Sequence, residues 1–236
     1  TQAAIKLRPD LRAPVITLIS ETDLLGNQMN GFYGARQPDT ARSRVWEVPG
    51  TAHADAYVFT VSAGDNGLQP IKTLAAGWVP ISNLLGAKLA KPINAAPQHH
   101  YLAMSAVAHL DRWVRTGKAP PKAEPMGVEP PANPGAAPTL AADANGITKG
   151  GIRTPWVDVP TAKTSGFGNS GGAFGFLVGS TEPFDDATLA RLYPGGKADY
   201  LKRFDAALAR AVKAGFILPA DQAEIRALAE ASYPAP

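Results

Sequence analysis

Acidic residues and a histidine stand directly after two segments that have the composition of buried strands. Glu21 and Asp23 follow residues 13–20 (APVITLIS), and His53 comes five residues after residues 43–48 (SRVWEV). A carboxylate that accepts the N–H of an imidazole fixes the histidine tautomer and leaves the other ring nitrogen free to act as a general base. The residue types therefore point to an acid–histidine pair, Asp23 and His53, of the kind that activates a nucleophile.

The two segments must be neighbouring strands for this pair to form. Residues 13–20 are a continuous apolar run rich in β-branched side chains, which is typical of a strand buried on both faces of a parallel sheet. Residues 43–48 contain Val45 and Trp46 and end at Pro49-Gly50, which favours a second strand. In open α/β sheets, functional groups gather beyond the carboxyl ends of the strands. Parallel pairing would thus place Asp23 and His53 at the same edge.

A purely structural interpretation fits the same spacing. Asp23 would be a turn residue that caps a helix, and His53 would be a histidine of a surface loop. The spacing alone leaves both interpretations open.

The rest of the chain is mainly helix and loop. Residues 24–25 open at most a short helix, and the glycines of residues 26–34 predict a loop. Apolar residues at three- and four-residue steps predict a helix over 98–116, which ends at Gly117. Residues 120–138 are proline-rich and predict a covering loop or a linker.

The C-terminal third divides into an irregular part and a helical part. Residues 139–185 are rich in glycine and threonine and are hard to assign. The last fifty or so residues predict two helices, one that ends at Gly215 and one that begins near Asp221. The apolar stripe of the first of these consists of Tyr200, Phe204, Leu208 and Val212.

Composition excludes several classes of function. The 236 residues are 45% hydrophobic, with 23 basic and 20 acidic residues and no cluster of Lys or Arg interleaved with aromatics, which argues against nucleic-acid binding. No run approaches the roughly 20 apolar residues of a membrane span. The chain has no cysteine, which excludes disulfides and thiolate metal sites and leaves a soluble protein either secreted or cytoplasmic.

Four blocks of sequence carry a resemblance to a known family. They are RPDLRAPVITLISETDLL, ARQPDTARSRVWEVPGTAHAD, KPINAAPQHHYLAMSAVAHLDRWVRTGKAPP and DANGITKGGIRTPWVDVP. Together they resemble the C-terminal half of a bacterial family of α/β-hydrolase domain proteins, over nearly the whole chain. The resemblance implies a Ser–Asp–His triad in which Asp23 is the acid after the penultimate strand and His53 the histidine after the last strand. Glu21 lies two residues early for that role.

The resemblance also implies that the chain is incomplete as an enzyme. In this fold the order is serine, acid, histidine, and the serine lies in a strand–turn–helix elbow of the form G-x-S-x-G. No such elbow precedes Asp23, and Thr1 suggests a processed product or a piece of a longer protein. We therefore expect an α/β fold, the C-terminal portion of an α/β-hydrolase with its last two core strands plus helices. The N-terminal half, as a separate chain of a nicked precursor or another segment, would carry the serine and complete the sheet.

Three regions follow from this interpretation. Residues 1–120 would form the end of the hydrolase core with the acid and histidine loops. Residues 121–185 would be a Pro/Gly-rich covering segment, and residues 186–236 would be helices packed on the same domain.

The predicted activity is the hydrolysis of small carboxylic esters by a serine hydrolase that needs no cofactor. His53 would take the proton from the serine and return it to the leaving alcohol, while Asp23 stabilises the imidazolium. The residues next to the pair, Thr22, Leu24, Ala54 and Asp55, would line the rim of the site.

Two other functions stay open. Gly168-Asn169-Ser170-Gly171-Gly172 matches the G-[DN]-S-G-G around the nucleophile of chymotrypsin-like proteases, and the order of His53 and Ser170 suits that class. The intervening acid would then be Asp55, Asp65 or Asp111. A double β-barrel needs about a dozen strands, however, and the long helices leave no room for them. The third possibility is a non-catalytic structural or interaction subunit.

Other motifs have ordinary structural explanations. Residues 161–168 do not resemble a strand, and both a hydrolase elbow at Ser170 and a dinucleotide-binding turn need a strand before them. The G-x-G-x-x-G pattern that begins at Gly166 therefore predicts a glycine-rich loop. His99 and His100 are adjacent on a helix and point in different directions, so they cannot chelate a metal together. Asp143 opens a calcium-like sequence that lacks the later acidic ligand, which predicts a turn.

Overall fold

The computed structural model describes residues 5–26 and 31–234 as a mixed α and β structure. Its strands pair into two-stranded sheets and are β1 (Val15–Ser20), β2 (Ser43–Val48), β3 (Asn83–Leu84), β4 (Ala87–Lys88), β5 (Val128–Glu129), β6 (Thr139–Leu140), β7 (Ala162–Ser165) and β8 (Ser180–Pro183). Its α-helices are α1 (Glu21–Leu25), α2 (Ile71–Gly77), α3 (Gln98–Thr116), α4 (Pro155–Asp158), α5 (Asp186–Leu192), α6 (Gly196–Ala214) and α7 (Gln222–Ser232). None of the helices in these ranges has both the length and the apolarity needed to cross a membrane.

The strands β1 and β2 pair in parallel, as the sequence predicts. The register runs from Val15 opposite Ser43 to Ser20 opposite Val48, so both strands end at the same edge. The strand β1 begins at Val15, two residues later than predicted.

Opposite faces of this sheet pack against different elements. Alternate residues of a strand point to opposite faces, and Trp46 and Val48 of β2 lie with Leu102 and Ala106 of α3 on one face. On the other face Ile19 packs with two further buried side chains, Leu24 and Met126. The helix α3 and the segment around Met126 therefore hold the sheet between them.

The expectation that β1 is buried on both faces is wrong for most of the strand. Residues 15–18 are only half-buried, and only Ile19 and Ser20 are buried. Among the described residues β1 has one neighbouring strand, β2, so no strand pairs with its other edge there.

The largest apolar core lies among the helices. Tyr200, Phe204 and Leu208 form the predicted stripe on α6, with Val212 partly buried beside it, and pack with residues of α2 and α7. The helix α6 ends at Gly215, whose φ of +82° is a left-handed conformation that glycine adopts without strain. The helix α3 has the predicted bounds and also ends at a left-handed glycine, Gly117.

The prediction that residues 161–168 are not a strand is wrong. Residues Ala162–Ser165 form β7, which pairs antiparallel with β8. The four residues of β7 show no apolar alternation, and the pairing with β8, fifteen or more residues away, makes them a strand. Residues 166–179 between them, the glycine-rich loop, are thus the long connection of a hairpin and not the start of a βαβ unit.

The loop predicted for residues 26–34 is only partly described. The helix α1 ends at Leu25, and a 3-10 turn follows at Phe32–Ala35. Residues 27–30 of the predicted loop lie outside the described residues.

We predict that Phe204→Ala lowers the free energy of unfolding by about 3–5 kcal/mol. Phe204 is fully buried and its ring lies edge-on to that of Trp156 at 5.5 Å, so its removal leaves a cavity in the helical core. Urea denaturation measures the change. The matched control is Phe174→Ala, since the Phe174 side chain is 53% exposed and its loss should cost under about 1 kcal/mol. Equal losses for the two variants would contradict this placement of the core.

Candidate functional site

The carboxyl ends of β1 and β2 bring Asp23 and His53 into hydrogen-bond contact. Nδ1 of His53 lies 2.7 Å from Oδ1 of Asp23. The two side chains are 41% and 26% exposed, so the pair lies at the surface of the described structure. The structure thus brings together the two residues that the sequence predicts to be a pair.

Asp23 also caps α1, so the structural interpretation of this residue holds together with the functional one. The Ser20 hydroxyl donates to Oδ2 of Asp23 at 2.7 Å and accepts from the Asp23 backbone N–H at 3.2 Å. These contacts form a capping box, for which the S-x-x-D spacing of residues 20–23 is a recognisable sequence signal. Capping therefore uses one oxygen of Asp23 and orients the other toward His53.

The second ring nitrogen of His53 is available for proton transfer. Nε2 forms no hydrogen bond within the described ranges. Since the N–H at Nδ1 donates to Asp23, the neutral ring carries its lone pair on Nε2, directed away from the acid. Such a nitrogen can accept a proton from a hydroxyl that approaches the exposed side of the ring.

We define the histidine loop as residues 49–56. The start of this loop is bound by side chains of α3 and of the segment before α3. Nε2 of Gln98 donates to the Pro49 carbonyl at 3.2 Å, and Nδ2 of Asn94 donates to the Gly50 carbonyl at 2.8 Å. Gly50 has a φ of +73°, and a Cβ there would lie 2.6 Å from Oγ1 of Thr164. Only glycine therefore fits this sharp turn away from β2.

A buried carboxylate holds the end of the histidine loop. Oδ1 of Asp55 accepts the backbone N–H of Tyr57 at 3.0 Å, and Oδ2 lies 3.1 Å from Nδ1 of His99. Asp55 is 2% exposed, so its expected place on the rim of the site is wrong. Burial of a carboxylate requires donors, and the backbone just after the loop and the His99 ring supply them.

Of the three other residues expected on the rim, two are buried and one is partly exposed. Leu24 is fully buried beneath the sheet, and Thr22 is buried with its hydroxyl donating to the Gly166 carbonyl at 2.6 Å. Both expectations are wrong because the first turn of α1 faces inward at these positions. Ala54 is partly exposed, and its backbone N–H donates to the Leu177 carbonyl.

Glu21 lies beside the pair and does not contact His53. Its buried carboxylate accepts the backbone N–H of Gly50 at 2.6 Å and of Gly166 at 2.8 Å, and the hydroxyl of Ser165 at 3.1 Å. Burial raises the pKa of Glu21 above its ordinary value, and the nearby hydrogen-bond donors, Thr148 first and then Gly166, Gly50 and Ser165, lower it by less. Sequence reasoning treated Glu21 only as a second candidate acid and missed these contacts, which involve residues far away in sequence.

Ser170 lies on the surface of the glycine-rich loop. The side chain of Asn169 anchors this loop by hydrogen bonds to the backbone of Lys91 and to the Gly179 carbonyl. In the described part of the chain the hydroxyl of Ser170 makes no hydrogen bond to His53. The structure therefore does not join Ser170 to the acid–histidine pair.

The remaining histidines have structural contacts. The ring of His100 stacks on Tyr57 with centroids 3.9 Å apart, and Nε2 of His109 donates to the Gly215 carbonyl at 2.7 Å. Asp143 accepts backbone N–H groups of Asn145 and Ile147, as expected for a turn. Within residues 5–26 and 31–234, no three His, Asp or Glu side chains are grouped so that they could hold a metal ion.

The raised pKa of Glu21 predicts how stability changes with pH. The folded state holds this proton more tightly than the unfolded state, so stability falls as the pH rises from 4.5 through the folded-state pKa. The free energy of unfolding of the wild type minus that of Glu21→Gln should therefore decrease over this range, by at most about 1.4 kcal/mol per pH unit. Urea denaturation of both proteins at several pH values measures the difference. A difference that is constant or rises with pH would contradict the prediction.

Comparison with known proteins identifies the family. A sequence profile described as "Alpha/beta hydrolase domain" matches residues 1–227, a range that includes Asp23 and His53. No curated protein and no solved structure matches the chain significantly. The match covers well over half of the sequence, so the chain belongs to the α/β-hydrolase domain family.

Proposed function

We propose that this chain supplies the acid and the general base of a serine hydrolase that acts on carboxylic esters. The observation that carries the proposal is the 2.7 Å contact between Nδ1 of His53 and Oδ1 of Asp23 at the carboxyl ends of two parallel strands. Membership of the α/β-hydrolase domain family supports hydrolysis as the type of reaction.

The chemistry follows from the tautomer that Asp23 selects. Nε2 of His53 takes the proton of a serine hydroxyl as its oxygen bonds to the ester carbonyl carbon. The imidazolium, stabilised by Asp23, then gives this proton to the alkoxide as the bond between carbon and the leaving alcohol breaks. A water molecule, deprotonated by the same Nε2, attacks the acyl-enzyme, releases the acid and restores the serine.

The second part of the proposal is that the nucleophile comes from an N-terminal half of the hydrolase outside this sequence. Parallel pairing directs the backbone groups of Val15 toward β2, as its hydrogen bond to Arg42 shows, and those of Ile16 and Leu18 toward the open edge of β1. A strand edge with free N–H and C=O groups is a template for pairing with another strand. A further parallel strand along this edge would satisfy them and would end beside Asp23 and His53.

The chymotrypsin-like alternative receives no support from the described structure. In the described part of the chain Ser170 makes no hydrogen bond to His53, and the described strands form two-stranded sheets instead of barrels. A structural or interaction subunit without catalysis is the alternative that mutation of the pair tests.

We predict that Asp23→Asn and His53→Ala each lower kcat/KM for a p-nitrophenyl ester by about 10⁴-fold in the protein as isolated, with any partner chain bound. Asparagine at position 23 would favour the wrong tautomer of His53, and alanine at position 53 would remove the base. The matched control is Asp205→Asn, which breaks only a surface ion pair with Arg226 and should leave the rate unchanged. Unchanged hydrolysis in His53→Ala would favour a non-catalytic role for this chain.

A covalent label locates the nucleophile. A fluorophosphonate probe reacts with an activated serine, and mass spectrometry of the digested protein identifies the labelled peptide. We predict that the label lies on a serine outside these 236 residues and that His53→Ala abolishes labelling. The variant Ser170→Ala serves as the control and should be labelled like the wild type. Label on Ser170 would instead support the protease-like alternative.

A further inference from the structure

Glu21 connects three segments of the chain at one buried point. It is the first residue of α1, directly after β1, and it binds Gly50 of the histidine loop through Oε1 and Ser165 and Gly166 through Oε2. Gly50 stands three residues before His53, and Glu21 stands two residues before Asp23. The same carboxylate therefore joins the backbone that carries the base to the backbone that carries the acid.

We infer that Glu21 is a positioning residue that sets the distance between Asp23 and His53. The inference rests on the proposed function, because it assigns Glu21 a role in the work of that pair. A second contact acts at the same point, since the backbone N–H of Glu21 donates to the Thr51 carbonyl at 3.2 Å. The histidine loop is thus attached to residue 21 on both sides of the peptide bond between Gly50 and Thr51.

Close packing prevents the carboxylate from moving to other partners. A Cβ added to Gly166 would lie 2.6 Å from the Cβ of Glu21, from the Thr22 nitrogen and from the Thr51 oxygen. The glycine-rich loop therefore lies directly against the strand end. The Thr22 hydroxyl donates to the Gly166 carbonyl while Glu21 accepts the Gly166 N–H, so neighbouring residues bind both backbone polar groups of Gly166.

Glu21 differs from a second buried glutamate, Glu47, because the groups that donate hydrogen bonds to it are uncharged. Glu47, a buried glutamate of β2, forms a bidentate ion pair with Arg36. Glu21 has no ion pair with a cation in the described ranges, and neutral donors approach both of its oxygens. Burying a carboxylate in this way costs desolvation energy that an apolar residue would avoid. The buried carboxylate instead fixes the backbone of the histidine loop by accepting the Gly50 N–H.

Glutamine at position 21 should disturb this geometry without removing volume. Both carboxylate oxygens of Glu21 accept a backbone N–H, so one of these donors would face the NH₂ group of a glutamine. The matched control is Glu47→Gln, a loss of a buried carboxylate that holds Arg36 and the Met126 N–H instead of the histidine loop.

The test measures His53 directly by NMR, in the protein as isolated with any partner bound. In the wild type the Nδ1 proton, held by Asp23, should give a resolved signal that exchanges slowly with water. In Glu21→Gln we expect this signal to broaden or disappear, and kcat/KM for a p-nitrophenyl ester to fall by about 10- to 100-fold. In Glu47→Gln both should stay as in the wild type, whatever the change in Tm. If Glu21→Gln does not fold, Ser165→Ala, which removes one donor, should broaden the signal to a smaller extent.

The outcomes separate this inference from the proposed function. A His53 signal that is the same in Glu21→Gln and in the wild type, or that changes equally in Glu47→Gln, overturns the positioning role. If Glu21→Gln does not fold, an unchanged signal in Ser165→Ala overturns it. Ester hydrolysis that survives His53→Ala overturns the proposed function, and the NMR signal still reports whether Glu21 sets the contact between Asp23 and His53.

Discussion

The parallel ladder between β1 and β2 is the constraint on which the candidate site depends. Its last step pairs Ser20 with Val48, so the chain leaves both strands at the same edge of the sheet. Parallel strands share the direction of their ends, and residues that follow them are brought together whatever their separation in sequence. A shift of one residue in this register would turn Trp46 from α3 to the opposite face, and the packing of that side chain therefore fixes where His53 lies.

The ladder places the two strand ends side by side. Hydrogen bonds to the histidine loop then position His53 within hydrogen-bond distance of Asp23. The loop carries His53 at its exposed turn, and its buried ends are bound by Glu21 at Gly50 and by Asp55 at the start of the following helical turn. Each carboxylate is buried, and each is satisfied mainly by backbone N–H groups. An exposed histidine on a loop of this kind keeps one orientation because the backbone on both sides of it cannot move freely.

The glycine-rich loop packs against this arrangement instead of forming a separate site. Its first residue, Gly166, has no side chain and so can approach Glu21, Thr22 and Thr51 closely. Its other glycines lie in the connection of the β7–β8 hairpin, which explains why the nucleotide-like and protease-like patterns in this stretch have no matching structure. Short sequence patterns acquire a function only in the structural context that their chemistry needs.

Local sequence alone determined the elements that have a strong periodic or compositional signal. The strands β1 and β2, the helices α3 and α6 with their glycine ends, and the helix α7 were predictable, since each depends on apolar spacing or composition. The spacing of Asp23 and His53 left a catalytic and a structural interpretation open, and the resemblance to the α/β-hydrolase domain family favoured the pair. Tertiary structure decided the rest. The strand β7 exists because β8 pairs with it, Leu24 and Asp55 are buried because neighbouring segments cover them, and Glu21 binds residues more than 140 positions away. No local pattern encodes such contacts, because the donors that satisfy a buried carboxylate are supplied by whichever segments the fold brings beside it.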